Sequence, residues 1–167
     1  EVKLFISFAA ISVPSVVSRI IDENPVIGYL QILLFTSRTP SELQDALIDL
    51  EGKNVSALIL DLRNNSGGLL QESVKAASEF LEEGIVVYER TNNSEKALNV
   101  DPGGKAMNLP LVVLINQGTA SAAELVAGAI RDRNRGILVG QTTYGKGSVQ
   151  QIFRLSDGSS LHVTAAE

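Results

Sequence analysis

One stretch of the chain, residues 111–125, most constrains the fold. Its first part, Leu111–Ile115, has the length and β-branched content of a buried strand, and a sharp turn at Gln117-Gly118 follows. Apolar residues then recur at helical spacing on one face, namely Ala122, Leu125, Val126, Ala129 and Ile130. The pattern predicts that Ser121 lies where a buried strand gives way to a buried helix. Unpaired N–H groups at the start of that helix would stabilise negative charge beside the serine hydroxyl, as a nucleophile requires.

The same serine also has a purely structural interpretation. Ser121-x-x-Glu124 is a capping box, in which serine and glutamate satisfy the backbone donors at a helix start. Helix caps are far more common than nucleophiles, so this stretch alone favours the structural role. The serine requires a base before it predicts chemistry.

Composition excludes several classes of protein. The chain has 167 residues, 44% of them hydrophobic, which suits one domain with a sizeable core. A net charge of −5 disfavours binding to nucleic acid. There is no cysteine, and His162 is the single histidine, so thiol catalysis and a multi-histidine metal site are excluded. Because the chain begins with Glu1, we expect it to be a piece of a longer protein.

Strands and helices alternate along the sequence. Apolar runs predict buried strands at Ala57–Leu62 and Ile137–Gly140, in addition to Leu111–Ile115. Thr39-Pro40-Ser41-Glu42 predicts a helix start with Thr39 as its N-cap, and residues 89–108 predict a surface loop or a ragged hairpin. This alternation predicts an α/β fold with a mostly parallel sheet and helices packed on it.

A lysine lies between two glycines beyond the last of these buried strands. The spacing Gly140-x-x-x-x-Gly145-Lys146 approaches a phosphate-binding loop, but Gly147 replaces the Ser or Thr that holds magnesium. The residues after it also look like a strand rather than a helix. Two interpretations remain for Lys146: a solvated surface lysine, or a base pressed into the site, where desolvation would favour the neutral amine.

Several motifs together resemble the carboxyl-terminal processing peptidases, or tail-specific proteases, from about Ile11 onward. They are Ile11-x-Val13-Pro14-Ser15-Val16, Ile27-Gly28-Tyr29, Asp61-Leu62-Arg63-Asn64-Asn65-Ser66-Gly67-Gly68, Gly118-Thr119-Ala120-Ser121-Ala122-Ala123-Glu124, and Gly140-x-x-x-x-Gly145-Lys146-Gly147 with Gln150. The order of the three longest motifs and the separation of serine from lysine make the resemblance specific.

The resemblance implies a crotonase/ClpP-like spiral of β-β-α units and a serine endopeptidase. Ser121 would be the nucleophile and Lys146 the general base, with Gln150 orienting the lysine amine. The backbone N–H groups of Gly67 and Ala122 would form the oxyanion hole. The implied reaction needs no metal or organic cofactor.

The resemblance also implies the substrates, the cellular location and the domain boundaries of the protein. Substrates would be proteins with unstructured, apolar C-terminal tails, bound as an added strand against a sheet edge. The enzyme would act outside the cytoplasm, in the periplasm, cell envelope or thylakoid lumen, with its parent close to a membrane. Glu1–Ala10 would be a remnant of an upstream PDZ domain, and residues 11–167 the peptidase core, cut short at its C-terminal end. The oligomeric state is left open.

Two other functions compete with this one. The first is a non-catalytic peptide-binding module on the same fold. The second is a Ser-His hydrolase that uses His162, although a histidine on a strand after a turn is more often a surface or core residue.

Overall fold

The computed structural model describes residues 13–91 and 93–166. Its elements in chain order are β1 Val16–Glu23, β2 Val26–Ile32, α1 Thr39–Gly52, β3 Ala57–Asp61, α2 Leu70–Ser78, β4 Ile85–Arg90, β5 Glu95–Asn99, β6 Leu111–Ile115, α3 Ala122–Asp132, β7 Ile137–Gly140, β8 Val149–Arg154 and β9 Ser160–Ala166. The predictions for Glu1–Ala10 and Ile11 lie outside the described residues.

Five strands form the central sheet, in the order β1-β2-β3-β6-β7. The first two strands pair antiparallel, and every other pairing in this sheet is parallel. Two hairpins, β4–β5 and β8–β9, lie apart from it. The predicted α/β fold with a mostly parallel sheet is confirmed.

The core lies between the helices and one face of the sheet. Leu58 and Leu60 of β3 point into it, because alternate residues of a strand share a face. The largest buried side chains around them include Phe35, Phe80, Leu43, Val126 and Ile130. Burying such side chains is the main favourable contribution to folding, at about 1.5–3 kcal/mol for each.

The parallel arrangement positions the site. The strands β3 and β6 are neighbours and run in the same direction, so their carboxyl ends meet at one edge of the sheet. A turn over residues 62–69 leaves β3 there, and a turn over residues 116–121 leaves β6 there. Two stretches that are far apart in sequence are therefore brought into contact.

One local prediction differs from the structure. The N-cap of α1 is Arg38 rather than Thr39. The buried Thr39 hydroxyl instead accepts from the Thr36 N–H and donates to the Leu34 carbonyl, because it faces the chain that enters the helix. Of the two alternatives predicted for residues 89–108, the ragged hairpin is present, because β5 pairs with β4 in an irregular register. No helix within residues 13–91 and 93–166 is long and apolar enough to cross a bilayer.

Candidate active site

Ser121 holds a backbone conformation that non-glycine residues rarely adopt. Its φ is 53° and its ψ is −122°, directly before the first residue of α3. Such a conformation costs about 1–3 kcal/mol and persists only where the surroundings impose it. A strained serine at a strand-to-helix turn presents its hydroxyl outward, which is the arrangement of a nucleophile elbow.

Hydrogen bonds between the two turns impose this conformation. The Ala120 N–H donates to the Asn65 carbonyl at 2.9 Å. The buried Thr119 hydroxyl donates to the Leu62 carbonyl at 2.8 Å and accepts from the Asn116 N–H at 3.0 Å. The two residues that precede the serine are thus fixed to the turn that follows β3.

The side chain of Asn65 is fully buried and joins three segments. Its Nδ2 donates to the Ile32 carbonyl at the end of β2, at 2.8 Å. Its Oδ1 accepts from the Gly67 N–H, also at 2.8 Å. The N–H that the sequence predicts as an oxyanion donor is therefore engaged within its own turn. Gly68 lines the cavity with Ser121 and Ala122, and no group among the described residues accepts from its N–H.

Gly67 packs directly against the nucleophile turn. A Cβ at this position would lie 2.9 Å from the Ala120 carbonyl oxygen, 2.9 Å from Ser121 Cβ and 3.0 Å from the Ala122 nitrogen. Its φ of +101° is also one that side chains disfavour. Only glycine fits between the two turns at this distance.

One carboxylate connects the serine to the lysine loop. Glu124 accepts from the N–H groups of Ser121, Gly145 and Lys146, at 2.7, 2.7 and 2.9 Å. Burial raises the pKa of Glu124, but these bonds and one from the Thr143 hydroxyl outweigh it and hold the pKa below its usual value. The capping box predicted from the sequence is present, and its glutamate also holds the loop of the proposed base.

We expect Glu124→Gln to lower kcat/KM about ten- to one-hundred-fold. Hydrogen bonds to a charged acceptor are worth about 1.5–3 kcal/mol, so a neutral amide would hold the lysine loop less tightly. The measurement is peptide hydrolysis, with the free energy of unfolding followed against pH. In the native protein the contribution of Glu124 to the free energy of unfolding is complete above about pH 4.5. This contribution is lost as the pH falls through the lowered pKa of Glu124 in the folded state.

Glu82→Gln is the matched control, since Glu82 is exposed in the turn after α2. It should leave activity and stability close to those of the native protein, because surface substitutions away from such features have small effects. Native kinetics in Glu124→Gln would show that the loop is held by other contacts.

The remaining predicted residues meet Ser121 in one cavity of about 530 Å³. Lys146, Gln150 and His162 all line it, together with Ala122. Lys146 and Gln150 are exposed, so the expected desolvation of the lysine amine is not present in this arrangement. Among the described residues, no hydrogen bond joins the Lys146 amine to the Ser121 hydroxyl.

Apolar side chains form much of the cavity wall. They come from the start of α2, from β4, from α3 and from the β8–β9 hairpin: Leu69, Leu70, Val87, Leu125, Val149 and Ile152. Such a lining suits an apolar side chain of a ligand, since burying it there removes apolar surface from water.

An ion pair between the buried Asp61 and the exposed Arg63 fixes the start of the glycine turn. Asp61, at the end of β3, accepts from the Tyr29 hydroxyl at 2.6 Å and from two nitrogens of Arg63. Burial raises the pKa of Asp61, but the bonds from Arg63 and Tyr29 outweigh it and hold the pKa below its usual value. The pair therefore locks the strand to the residues that follow it.

Sequence reasoning missed the amide side chains that hold the site together. Asn64 and Asn116 bond each other, with the Asn116 Nδ2 donating to Asn64 Oδ1 and the Asn64 N–H donating to Asn116 Oδ1, each at 2.9 Å. In the sequence, Asn65 stands out only as a member of the motif Asp61–Gly68. Polar residues directly after two neighbouring parallel strands are the signal that could have indicated this cluster.

Comparison with known proteins identifies the class that the fold and the site define. Residues 26–167 match peptidase family S41, and the chain belongs to that family. Its relatives are carboxyl-terminal processing proteases, as the motifs indicated. The chain is 42% identical over 159 residues to such a protease of Synechocystis, covering 94% of this chain and 37% of the relative. It is 39% identical over 169 residues to one of Bacillus subtilis, covering all of this chain and 36% of the relative.

Solved structures agree with this assignment. The photosystem II D1 C-terminal processing protease superimposes with a TM-score of 0.81 at 33% identity, covering 93% of this chain and 44% of that chain. A Bacteroides fragilis structure superimposes with a TM-score of 0.80 at 22% identity, which supports the fold alone. The chain spans a little over a third of the length of the Synechocystis and Bacillus relatives.

Proposed function

We propose that the protein is a serine endopeptidase that works by acyl transfer. The neutral Lys146 amine takes the proton of the Ser121 hydroxyl, and Oγ attacks the carbonyl carbon of a peptide bond. The lysine ammonium then gives its proton to the leaving amine as the carbon–nitrogen bond breaks. Water hydrolyses the acyl-enzyme by the same steps. Gln150, on the strand that follows the lysine loop, orients the amine.

The oxyanion of the tetrahedral intermediate is held by backbone donors. One is the Ala122 N–H, at the positive end of α3. The second donor is supplied by the glycine turn. The Gly67 N–H, the donor expected from the sequence, would serve only if it gave up its bond to Asn65. No described residue accepts from the neighbouring Gly68 N–H. We therefore propose that Gly67 allows the glycine turn to pack closely against the serine turn, and that the Gly68 N–H donates the second hydrogen bond to the oxyanion.

Substrate binding would complete the environment of the lysine. Lys146 lines the same cavity as Ser121 but is exposed. An apolar peptide segment that fills this cavity would exclude water and so favour the neutral amine. The apolar wall supports substrates with apolar, unstructured C-terminal tails, which are the proposed targets.

The observation that carries this proposal is the strained Ser121 packed against Gly67 in a cavity that Lys146 lines. The test is phosphonylation of Ser121 by a fluorophosphonate probe in the intact protein, in which Oγ bonds to phosphorus and fluoride leaves, together with hydrolysis of a peptide that has an apolar tail. Labelling that disappears in Ser121→Ala would support the enzyme. Tight peptide binding without labelling or cleavage would favour the peptide-binding module.

His162 supports a second candidate, because its side chain lines the cavity. Its Nε2 lies 3.1 Å from the Ser160 hydroxyl, a neighbour on the same strand. We expect His162→Gln to keep kcat within about three-fold, since glutamine can bond the Ser160 hydroxyl in its place. The measurement is kcat of peptide hydrolysis. Abolished turnover in a folded His162→Gln protein would transfer the role of base from Lys146 to His162.

We further propose that the protein acts outside the cytoplasm, near a membrane. An Arabidopsis relative, 42% identical over 145 residues, is named a chloroplastic carboxyl-terminal processing peptidase, which supports action in a lumen or envelope. Fractionation of cells that express the intact protein, with immunodetection of each fraction, would test this location.

A further inference from the structure

The cavity beside Ser121 runs along the edge of a strand. Three consecutive residues of β4, Val87, Tyr88 and Glu89, line it. Successive side chains of a strand point to opposite faces, so a surface formed by three in a row presents the backbone edge rather than one face. The edge of β4 that faces away from β5 therefore borders the cavity.

The hydrogen-bonding pattern of the hairpin shows which backbone groups point to this edge. The Thr91 N–H donates to the Ser94 carbonyl, so these two residues form a hydrogen-bonded pair. Pairs alternate along an antiparallel ladder, so Tyr88 and its partner Ala97 form a pair without mutual hydrogen bonds. The N–H and C=O of Tyr88 thus point away from β5, and no described residue bonds them.

The strand β4 is held at a fixed position relative to the nucleophile. It packs against α3, the helix that begins directly after Ser121. Arg133, after the end of α3, donates to the Ile85 carbonyl at 3.3 Å. The β8–β9 hairpin also borders the cavity, but it is exposed along almost its whole length. An edge that must present a peptide bond to Ser121 has to be the one anchored to α3.

We propose that the substrate peptide binds as an added strand on the open edge of β4, pairing with the N–H and C=O of Tyr88. This inference rests on the proposed function and names the edge at which its substrate is held. An extended peptide there gains main-chain hydrogen bonds that are independent of its sequence. Its side chains on one face then enter the apolar cavity.

The first test removes the outward N–H. We expect Tyr88→Pro to raise KM for an apolar-tailed peptide about ten-fold over Tyr88→Val, since a binding hydrogen bond is lost and its partner left unpaired. Proline is tolerated at an edge position whose N–H faces away from the ladder, so the hairpin should persist. Ala97→Pro is the matched control, because it makes the same change on the far edge of the same hairpin, and it should leave KM unaltered.

The second test uses the native enzyme and a set of peptides, each N-methylated at one residue. A substrate strand points alternate N–H groups at β4, so KM should rise at every second position. No such alternation, or an unchanged KM in Tyr88→Pro, would overturn the docking edge. A KM raised equally by Ala97→Pro would do the same. Fluorophosphonate labelling of Ser121 should persist in Tyr88→Pro, whereas its absence from the native enzyme would overturn the proposed function and this inference with it.

Discussion

Replacement of Lys146 by alanine should lower kcat for peptide hydrolysis about 10³- to 10⁴-fold, as expected for loss of a general base. The side chain is exposed, and the loop is held by its backbone N–H, which donates to Glu124 and which alanine retains. The fold and the free energy of unfolding should therefore stay close to those of the native protein. The measurements are kcat, fluorophosphonate labelling of Ser121 and thermal unfolding of the intact protein.

Lys53→Ala is the control for loss of a surface lysine. Lys53 forms an exposed pair with Asp49 at the end of α1, which is worth about 1 kcal/mol or less. The Lys53→Ala substitution should therefore leave kcat unchanged. Labelling of Ser121 at the native rate in Lys146→Ala would mean that another group takes the serine proton, and the Ser-Lys assignment would be wrong.

Replacement of Gly67 by alanine should lower kcat more than one-hundred-fold and destabilise the fold. The new Cβ would press on Ala120 and Ser121 at 2.9 Å, and the nucleophile turn would have to move. A displacement of this kind also shifts the Ala122 N–H, and losing one oxyanion donor costs about 3 kcal/mol of transition-state stabilisation. The measurements are kcat and the free energy of unfolding.

The chain offers a closely matched control in Gly103→Ala. Gly103 has a φ of +96°, close to the +101° of Gly67, but a Cβ there would meet nothing within 4 Å. Both variants therefore carry a similar backbone penalty of about 1–2 kcal/mol, and only Gly67→Ala adds the contact with the serine turn. Equal losses of activity in the two variants would show that activity does not depend on the close packing of Gly67 against the serine turn.

Much of the fold could be predicted from the sequence because its elements have strong periodicity. The buried strands around Leu58 and Val113 are continuous apolar runs, and α3 carries a clear apolar face, so these elements were predicted within a residue or two. The end of α2 could not be predicted. Phe80 and Leu81 continue the helical spacing of the buried residues Val74 and Ala77. They lie, however, in the buried turn that follows the end of the helix at Ser78.

The site was predictable only in part, for a physical reason. The positions of Ser121 and Lys146 follow from motifs, and the structure brings both to one cavity. The bonding of Asn65 depends on which strand ends become neighbours, and this is a property of the sheet order rather than of local spacing. The engagement of the Gly67 N–H and the exposure of the lysine could not be deduced from the chain alone.

The Glu124 carboxylate gives the proposed nucleophile and the proposed base a common anchor. Because it bonds the backbone of Ser121 and of Lys146, any force that withdraws the lysine loop acts on the serine through the same group. A displacement of the Lys146 loop would therefore disturb the backbone of Ser121 at the same time. A ligand that moves this one exposed loop would inactivate both proposed catalytic residues together.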